Sequence, residues 1–263
     1  NMAPEALRKK ISPRTKVIIP VPMLGGCARI GALMTVVREV NAERLAQGLP
    51  PVRVLEDCAQ ALGAHAHGAP GSITPLAAEG IHRVGTFGDA GIFSLQINKN
   101  ITAGEGGMIV TRDPALARRI DALHNTGYAR DADPPQNWYG DVPLGWGHGR
   151  RMTELQGALA RVQLKKLDGI LANMRQSHER IEAHVRRLGL QPRGRADAQH
   201  PGDTGYYCIF TLPRYEGDED VRITRGRAVA AALNAWGLHP WFFHDYEVHV
   251  YYNIQPLVEK WPM

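Results

Sequence analysis

Lys99 stands between Asn98 and Asn100, after the apolar run Ile92-Phe93-Ser94-Leu95 and before the turn Ala103-Gly104-Glu105-Gly106-Gly107. Taken alone, such a lysine reads as a solvated loop residue or as an amine that does chemistry. Asp57 follows the apolar run Val52-Arg53-Val54-Leu55 and Glu56. A carboxylate there belongs at the carboxyl end of a parallel strand, where open α/β sheets bind ligands. It would equally serve as an N-cap for a following helix. A carboxylate and a lysine facing one crevice suit pyridoxal phosphate. The lysine forms a Schiff base with the aldehyde, and the carboxylate keeps the pyridine nitrogen protonated so that the ring accepts electrons. Ser94, five residues before Lys99, could bind the phosphate.

Other clusters point to less. The Ala103–Gly107 turn lacks the Gly-Lys-Ser/Thr ending of a nucleotide-triphosphate loop. Gly145, Gly147 and Gly149 follow no strand signal, as a dinucleotide fingerprint requires, and read as a loop. His65 and His67 lack an evident third metal ligand. His178-Glu179 and His184 mimic a zinc-protease motif, but a spacing of six rather than four takes the imidazoles off one helical face. His244 and His249 are either substrate-facing or simply exposed.

The elements that would position Lys99 and Asp57 alternate along the first two-thirds of the chain. Lys16 to Val21 is a short buried strand. Ile30 to Gln47 is helical, through Ile30, Leu33, Met34, Val37 and Val40, and Gly48 stops it. Strands follow at Val52–Leu55, Gly91–Leu95 and Met108–Val110. Asp113-Pro114 opens a helix, with aspartate as N-cap and proline at its first position. This rhythm predicts a mainly parallel sheet with covering helices. Thr153 and Gln156 form a capping box for a long helix through Leu155, Leu159, Val162, Ile170, Met174, Ile181, Val185 and Leu188, with Gly169 as a possible bend. From about residue 190 the pattern becomes a smaller α+β unit, with a strand at Tyr206–Leu212 and a helix at Ile223–Trp236. Gly68–Arg83 and Arg130–Gly149 read as loops long enough to be functional. The predicted domains are 1–150, 151–189 for the connecting helix, and 190–263.

Composition narrows the partners. The 263 residues are 44% hydrophobic and 22% charged, with a formal net charge of +5. That is ordinary for a globular domain and lacks the dense basic stripe of a nucleic-acid binder. No apolar run is long enough to cross a bilayer. The start reads as no secretory signal, and three widely spaced cysteines, Cys27, Cys58 and Cys208, fit a reducing cytoplasm. The sequon Asn100-Ile101-Thr102 therefore reads as chance.

Several segments, in order, resemble the DegT/StrS family. They are Thr15 to Val21, Glu56-Asp57-Cys58-Ala59-Gln60-Ala61, Gly85-Thr86-Phe87-Gly88-Asp89-Ala90, Phe93-Ser94 with Lys99-Asn100, Gly104-Glu105-Gly106-Gly107, and Arg151-Met152-Thr153-Glu154-Leu155-Gln156 with Ala158. Each is weak alone; the ordered set, over residues 12 to about 168, is specific. The resemblance implies an α/β fold of the fold-type-I aminotransferase kind, with a smaller C-terminal α+β domain and a homodimer whose active sites lie at the subunit interface. It implies pyridoxal 5'-phosphate as cofactor, Lys99 as Schiff-base lysine and proton shuttle, Asp57 on the pyridinium nitrogen, Gln60 near the ring and phenolic oxygen, and Ser94 on the phosphate. Some relatives carry histidine at the lysine position and dehydrate sugars instead, so Lys99 implies transamination. The implied reaction moves an amino group from glutamate or glutamine to a keto sugar. The acceptor would be a nucleotide-linked sugar, a keto-octulosonate or an aminocyclitol precursor, in the biosynthesis of lipopolysaccharide or antibiotic amino sugars.

The sequence departs from the family pattern in three places. The family usually has an asparagine, reaching the neighbouring subunit's phosphate, where this chain has Gly149; Arg150 or Arg151 could take over. The segment from His65 to Arg83 is longer than usual and could shape a substrate pocket. The family's Gly-Thr phosphate loop and cofactor-stacking aromatic lie in a part preceding Asn1, and both ends read as internal, so the chain is expected to be a portion of a longer protein. These departures keep open the alternative of a non-catalytic, cofactor-binding or regulatory relative.

Overall fold

The computed structural model describes residues 2–128, 146–193, 202–212, 218–242 and 245. Predicted residues Arg130 to Gly145, His244 and His249 lie outside them. The chain divides into two compact units, one of Asn1–Arg187 with Pro192–Ile209, the other of Leu188–Gln191 with Phe210–Met263.

The larger unit holds the strands β1 (Val17–Ile18), β2 (Arg53–Asp57), β3 (His65–Gly68), β4 (Gly80–Arg83), β5 (Ala90–Ser94) and β6 (Gly107–Thr111). Its helices are α1 (Pro4–Lys10), α2 (Ile30–Ala46), α3 (Pro114–His124) and α4 (Glu154–Arg187). The main sheet runs β1-β2-β5-β6. β1, β2 and β5 are parallel, with Asp57 beside Ile92, and β6 is antiparallel to β5. The sheet is thus mainly parallel, as the alternating pattern predicts. The antiparallel edge follows from chain length: the connection from β5 to β6 has no helix to return the chain for a parallel pairing.

Helix α2 lies where its spacing predicts. Ile30, Leu33, Met34 and Val37 are buried in one cluster with Val52, Val54 and Phe87 of the sheet side. Asn41 pins its far end, donating from Nδ2 to the carbonyls of Val52 (2.9 Å) and Ser72 (2.7 Å) and accepting from the Val52 amide (2.7 Å). Gly48 follows with φ +71°, the left-handed geometry that ends a helix cheaply only at glycine. Asp113 caps α3 by accepting from the amides of Ala115 and Leu116. Thr153 and Gln156 form the predicted reciprocal box: the Thr153 amide donates to Gln156 Oε1 (2.9 Å), and the Gln156 amide to Thr153 Oγ1 (3.2 Å).

Four expectations change. Only Val17 and Ile18 of the Lys16–Val21 run form a strand; Pro20 and Pro22 have no N–H for a ladder. Gly68–Arg83 is no loop throughout, because β3 and β4 pair antiparallel. α4 runs unbroken through Gly169, where a Cβ would meet nothing within 4 Å among the described residues. The glycine's helix cost is about 1 kcal/mol, and Leu167 and Leu171 on either side are buried in a second apolar cluster. Tyr206–Leu212 forms a strand, β8, only at Phe210–Thr211, paired with β7 at Gln191–Pro192. Before it, the Tyr206 amide donates to Thr204 Oγ1 and its hydroxyl to the Asn98 carbonyl rather than to a ladder.

In the smaller unit, α5 spans Glu219–Ala235 and starts earlier than its apolar spacing suggests. Asp218 caps it by accepting from the Val221 amide at 3.0 Å. Gly226 packs under Phe242, and Arg227 pairs with Asp245 at 2.8 Å. Among the described residues no helix is long and apolar enough to cross a membrane.

Candidate active site at the carboxyl edge of the sheet

Because β1, β2 and β5 are parallel, the segments that follow them leave the sheet at one edge. Asp57 is the last residue of β2. Successive side chains on a strand point to opposite faces, so Glu56 and Asp57 face opposite ways. Glu56 is wholly buried, and its two oxygens accept from the amides of Gly85 (2.8 Å), Phe87 (2.7 Å) and Gly88 (2.8 Å). Burial pushes its carboxyl above the ordinary range, and the three N–H donors pull it back. The turn it binds closes that face. A Cβ on Gly91, beside Glu56 in the register, would come within 2.2 Å of the Gly85 carbonyl oxygen.

Asp57 is half-buried on the other face. Its Oδ1 accepts from the Ala59 amide at 3.1 Å. No helix follows it, so the N-cap alternative falls away; the bond makes a tight turn instead. Its second oxygen carries no partner among the described residues. Ser94 shares that face: it lies two residues beyond Ile92, Asp57's neighbour, about 7 Å further along β5. Ser94 Oγ accepts from the Gln96 amide at 3.2 Å, which leaves its proton to give away. Gln60 Oε1 accepts from the Leu24 amide at 2.7 Å. That bond assigns the amide's orientation and leaves Nε2 as the free donor. Leu24 itself has φ +60°, a conformation rare outside glycine.

Lys99 sits half-buried in the connection between β5 and β6. The loop is stitched at every step. The Leu95 amide donates to the Gly106 carbonyl (2.9 Å), and the Ala103 amide to the Leu95 carbonyl (2.9 Å). The Asn98 amide donates to Gln96 Oε1 (2.9 Å), and the Lys99 amide to the Gln96 carbonyl (3.0 Å). Asn100 Nδ2 donates to the Leu62 carbonyl at 3.0 Å, tying this loop to the turn that carries Gln60. The sequon asparagine thus has its amide engaged inside the fold, in keeping with a chance match. The ammonium of Lys99 meets no protein partner among the described residues.

The sequence pattern gave no site role to the segment Gly202–Tyr206, which crosses these loops from 108 to 179 positions away. The His65 amide donates to the Gly202 carbonyl (3.1 Å), and the Thr204 amide to the Gly25 carbonyl (2.9 Å). Asp203 Oδ1 accepts from the Cys27 amide (2.6 Å), and its carbonyl from Arg175 Nε of α4 (2.7 Å). The Tyr206 hydroxyl donates to the Asn98 carbonyl. A local sequence window carries no signal for these contacts. Cys27 and Cys58 are buried nearby, their thiols pushed well up by burial, and Cys208 is half-buried; none of the three is in a disulfide.

The other sequence candidates do not join the site. His67 Nδ1 lies 3.2 Å from Glu79, and among the described residues no group of three potential ligands could hold a metal. His178 lies on α4, 3.8 Å from Glu182, beside a small cleft lined by Leu24, Arg193, Asp203 and Tyr207 among others. That cleft includes none of Asp57, Gln60, Ser94 and Lys99. At Gly149 the main chain bridges to Asn125.

A mainly parallel sheet of this order with covering helices places the chain among proteins of the fold-type-I aminotransferase architecture. Architectural parallels include a sugar aminotransferase from Micromonospora echinospora, with TM-score 0.66 and 24% identity, covering 88% of this chain and 56% of that one. The aminotransferase TlmJ from Streptoalloteichus hindustanus has TM-score 0.65 and 25% identity, covering 92% and 56%. The profile of the DegT/DnrJ/EryC1/StrS aminotransferase family matches residues 1–233, and the chain belongs to that family. Among curated relatives, L-glutamine:2-deoxy-scyllo-inosose aminotransferase of Streptomyces kanamyceticus is 33% identical over 248 residues, 90% of this chain and 52% of the relative. UDP-N-acetyl-3-dehydro-alpha-D-glucosamine 3-aminotransferase of Acidithiobacillus ferrooxidans is 32% identical over 230 residues, 87% and 50%. The chain spans about half the length of the curated relatives it matches.

Proposed function

We infer that this chain carries the cofactor-binding part of a pyridoxal-phosphate-dependent aminotransferase that moves an amino group from glutamine or glutamate to a keto sugar or aminocyclitol precursor. The observation that carries the reading is one sheet edge where Asp57, Gln60, Ser94 and Lys99 each keep a polar atom unspent. The donor set fits the cofactor: an amine, a carboxylate oxygen, an amide N–H and a hydroxyl proton. The names of the relatives, which specify glutamine as donor or a keto-sugar substrate, support the substrate class.

When bound, pyridoxal 5'-phosphate supplies an electrophilic aldehyde and an electron-accepting ring. Lys99 Nζ would be the covalent attachment point and, once released, would take and return the proton at the reacting carbon. Asp57 Oδ2 would keep the ring nitrogen protonated, and Gln60 Nε2 and Ser94 Oγ would donate to the group's phenolic and phosphate oxygens. The turn bound by Glu56 seals the opposite face of the sheet. The division into a cofactor domain at 1–150, a connecting helix at 151–189 and a smaller domain from 190 belongs to this proposal, as do a cytoplasmic location and a homodimer.

Borohydride reduction of the full-length, cofactor-loaded protein should fix the cofactor on the peptide bearing Lys99. The visible absorption of the loaded protein should bleach on adding glutamine or glutamate. A second reading, a cofactor-binding relative without transferase activity, draws on Gly149 standing where the family usually has asparagine. An absorption band that no amino donor alters would favour it.

A further inference from the structure

Lys99 is a flexible four-carbon stem on a loop, and a displacement of the reacting atom by about 1 Å can cost on the order of a hundredfold in rate. Something must fix the main chain from which it springs. From below, the Gln96 side chain and carbonyl hold the amides of Asn98 and Lys99. From one side, Asn100 is tied to the Leu62 carbonyl. The remaining anchor is the Asn98 carbonyl, and the only described group that takes it is the Tyr206 hydroxyl.

Tyr206 can act as a fixed point because the residues before it are immobilised. Thr204 is wholly buried and donates through both its amide and its hydroxyl to the Gly25 carbonyl. The fit is close, since a Cβ on Gly25 would lie 2.3 Å from Thr204 Oγ1. Asp203 is held between Cys27 and Arg175 of α4. At Gly205 the chain turns with φ +75° against the Arg175 backbone, so a Cβ there would lie 2.9 Å from Arg175 Cα. The ring of Tyr206 packs edge-on against Tyr207 at a centroid distance of 4.5 Å. The segment is a strap bonded to the loop after β1, the start of β3 and the loop after β5, and its last side chain grips the residue before Lys99.

We propose that Tyr206 is a positioning residue for Lys99, its hydroxyl clamping the Asn98 carbonyl so that the lysine amine is presented at a fixed place on the sheet edge. This rests on Lys99 being the cofactor-bearing lysine. Tyr206→Phe removes only the hydroxyl. Three measurements on the full-length protein test it. The first, without added cofactor, is amide exchange of the peptide spanning residues 96–102. The second, on the loaded protein, is the pH midpoint of the visible band together with the rate of the half-reaction with glutamine. The third is the unfolding midpoint in urea.

Tyr206→Phe should speed exchange in that peptide about tenfold, shift the pH midpoint by about half a unit, and slow the half-reaction about tenfold. The borohydride tag should stay on Lys99 and the unfolding midpoint should not change. Asn100→Ala, which cuts the opposite tie, should reproduce the exchange and midpoint changes. Unchanged exchange and pH midpoint in Tyr206→Phe, with the tag on Lys99, overturn the clamp. So does faster exchange throughout the unit with a lowered unfolding midpoint, which would make the tyrosine merely structural. A tag absent from Lys99 in the unsubstituted protein overturns the functional reading instead, and that failure appears before any substitution is made.

Discussion

Asp57 and Glu56 are adjacent carboxylates with opposite fates, decided by the strand's alternation. Asp57 keeps a free oxygen for a ligand, and Glu56 spends both oxygens on backbone amides. Asp57→Asn should weaken cofactor retention by roughly 10- to 150-fold, since a hydrogen bond to a charged group is worth about 1.5–3 kcal/mol; cofactor titration followed by absorbance measures this. Glu56→Gln should leave the retained cofactor's spectrum alone but lower stability by about 1–3 kcal/mol, because its amide nitrogen would face an N–H donor; urea unfolding measures that. Lys99→Ala should reduce amine transfer by roughly 10²–10⁴-fold, the range for a positioned acid-base group, and abolish the borohydride tag. At this scale Lys99, Asp57, Gln60 and Ser94 could be singled out because they sit on short motifs at the ends of strands. It was silent on Tyr206 and Asp203, whose partners are 108 and 176 positions away.

Elements were legible where a local chemical device sets them. The Asp113 cap, the Thr153–Gln156 box and the apolar stripe of α2 all stand as read. The hairpin of β3 and β4 was missed because Gly68–Arg83 is rich in glycine and proline and its paired ends are short. The hairpin matters for packing: Gly31 of α2 lies against it, and a Cβ there would come within 2.1 Å of the His67 carbonyl oxygen. Gly31→Ala should therefore push α2 off the hairpin and destabilise the larger unit by about 1–3 kcal/mol, the usual cost of overpacking. A calorimetric transition lowered by several degrees would record it.

At the scale of the whole chain, one histidine ties stability to pH. His65 begins β3 beneath the strap, and burial, then Arg175 and Arg83, hold its imidazole below the ordinary value. The folded state thus prefers the neutral ring. Its stability contribution is present above the unfolded value of 6.5 and is lost as pH falls through the lower folded value. Unfolding midpoints in urea should drop between pH 7.5 and pH 5, and His65→Asn should flatten that slope. The asparagine that the family resemblance implies in place of Gly149 has room there: among the described residues a Cβ at Gly149 would meet only Thr126 Cγ2, at 3.7 Å. If the site is completed across a homodimer, Gly149→Asn should tighten cofactor retention by roughly fivefold, as one added hydrogen bond would, measured by dialysis of the loaded protein.

The unequal burial of the three thiols has a practical corollary. Cys27 and Cys58 are 2% and 0% exposed, whereas Cys208 is half-buried and only two residues beyond Tyr206. Within these residues a maleimide dye should therefore attach at Cys208 alone in the native protein and at all three cysteines after denaturation, as peptide mapping would show. The native label would sit next to the strap, a ready-made optical reporter of whether Tyr206 has let go.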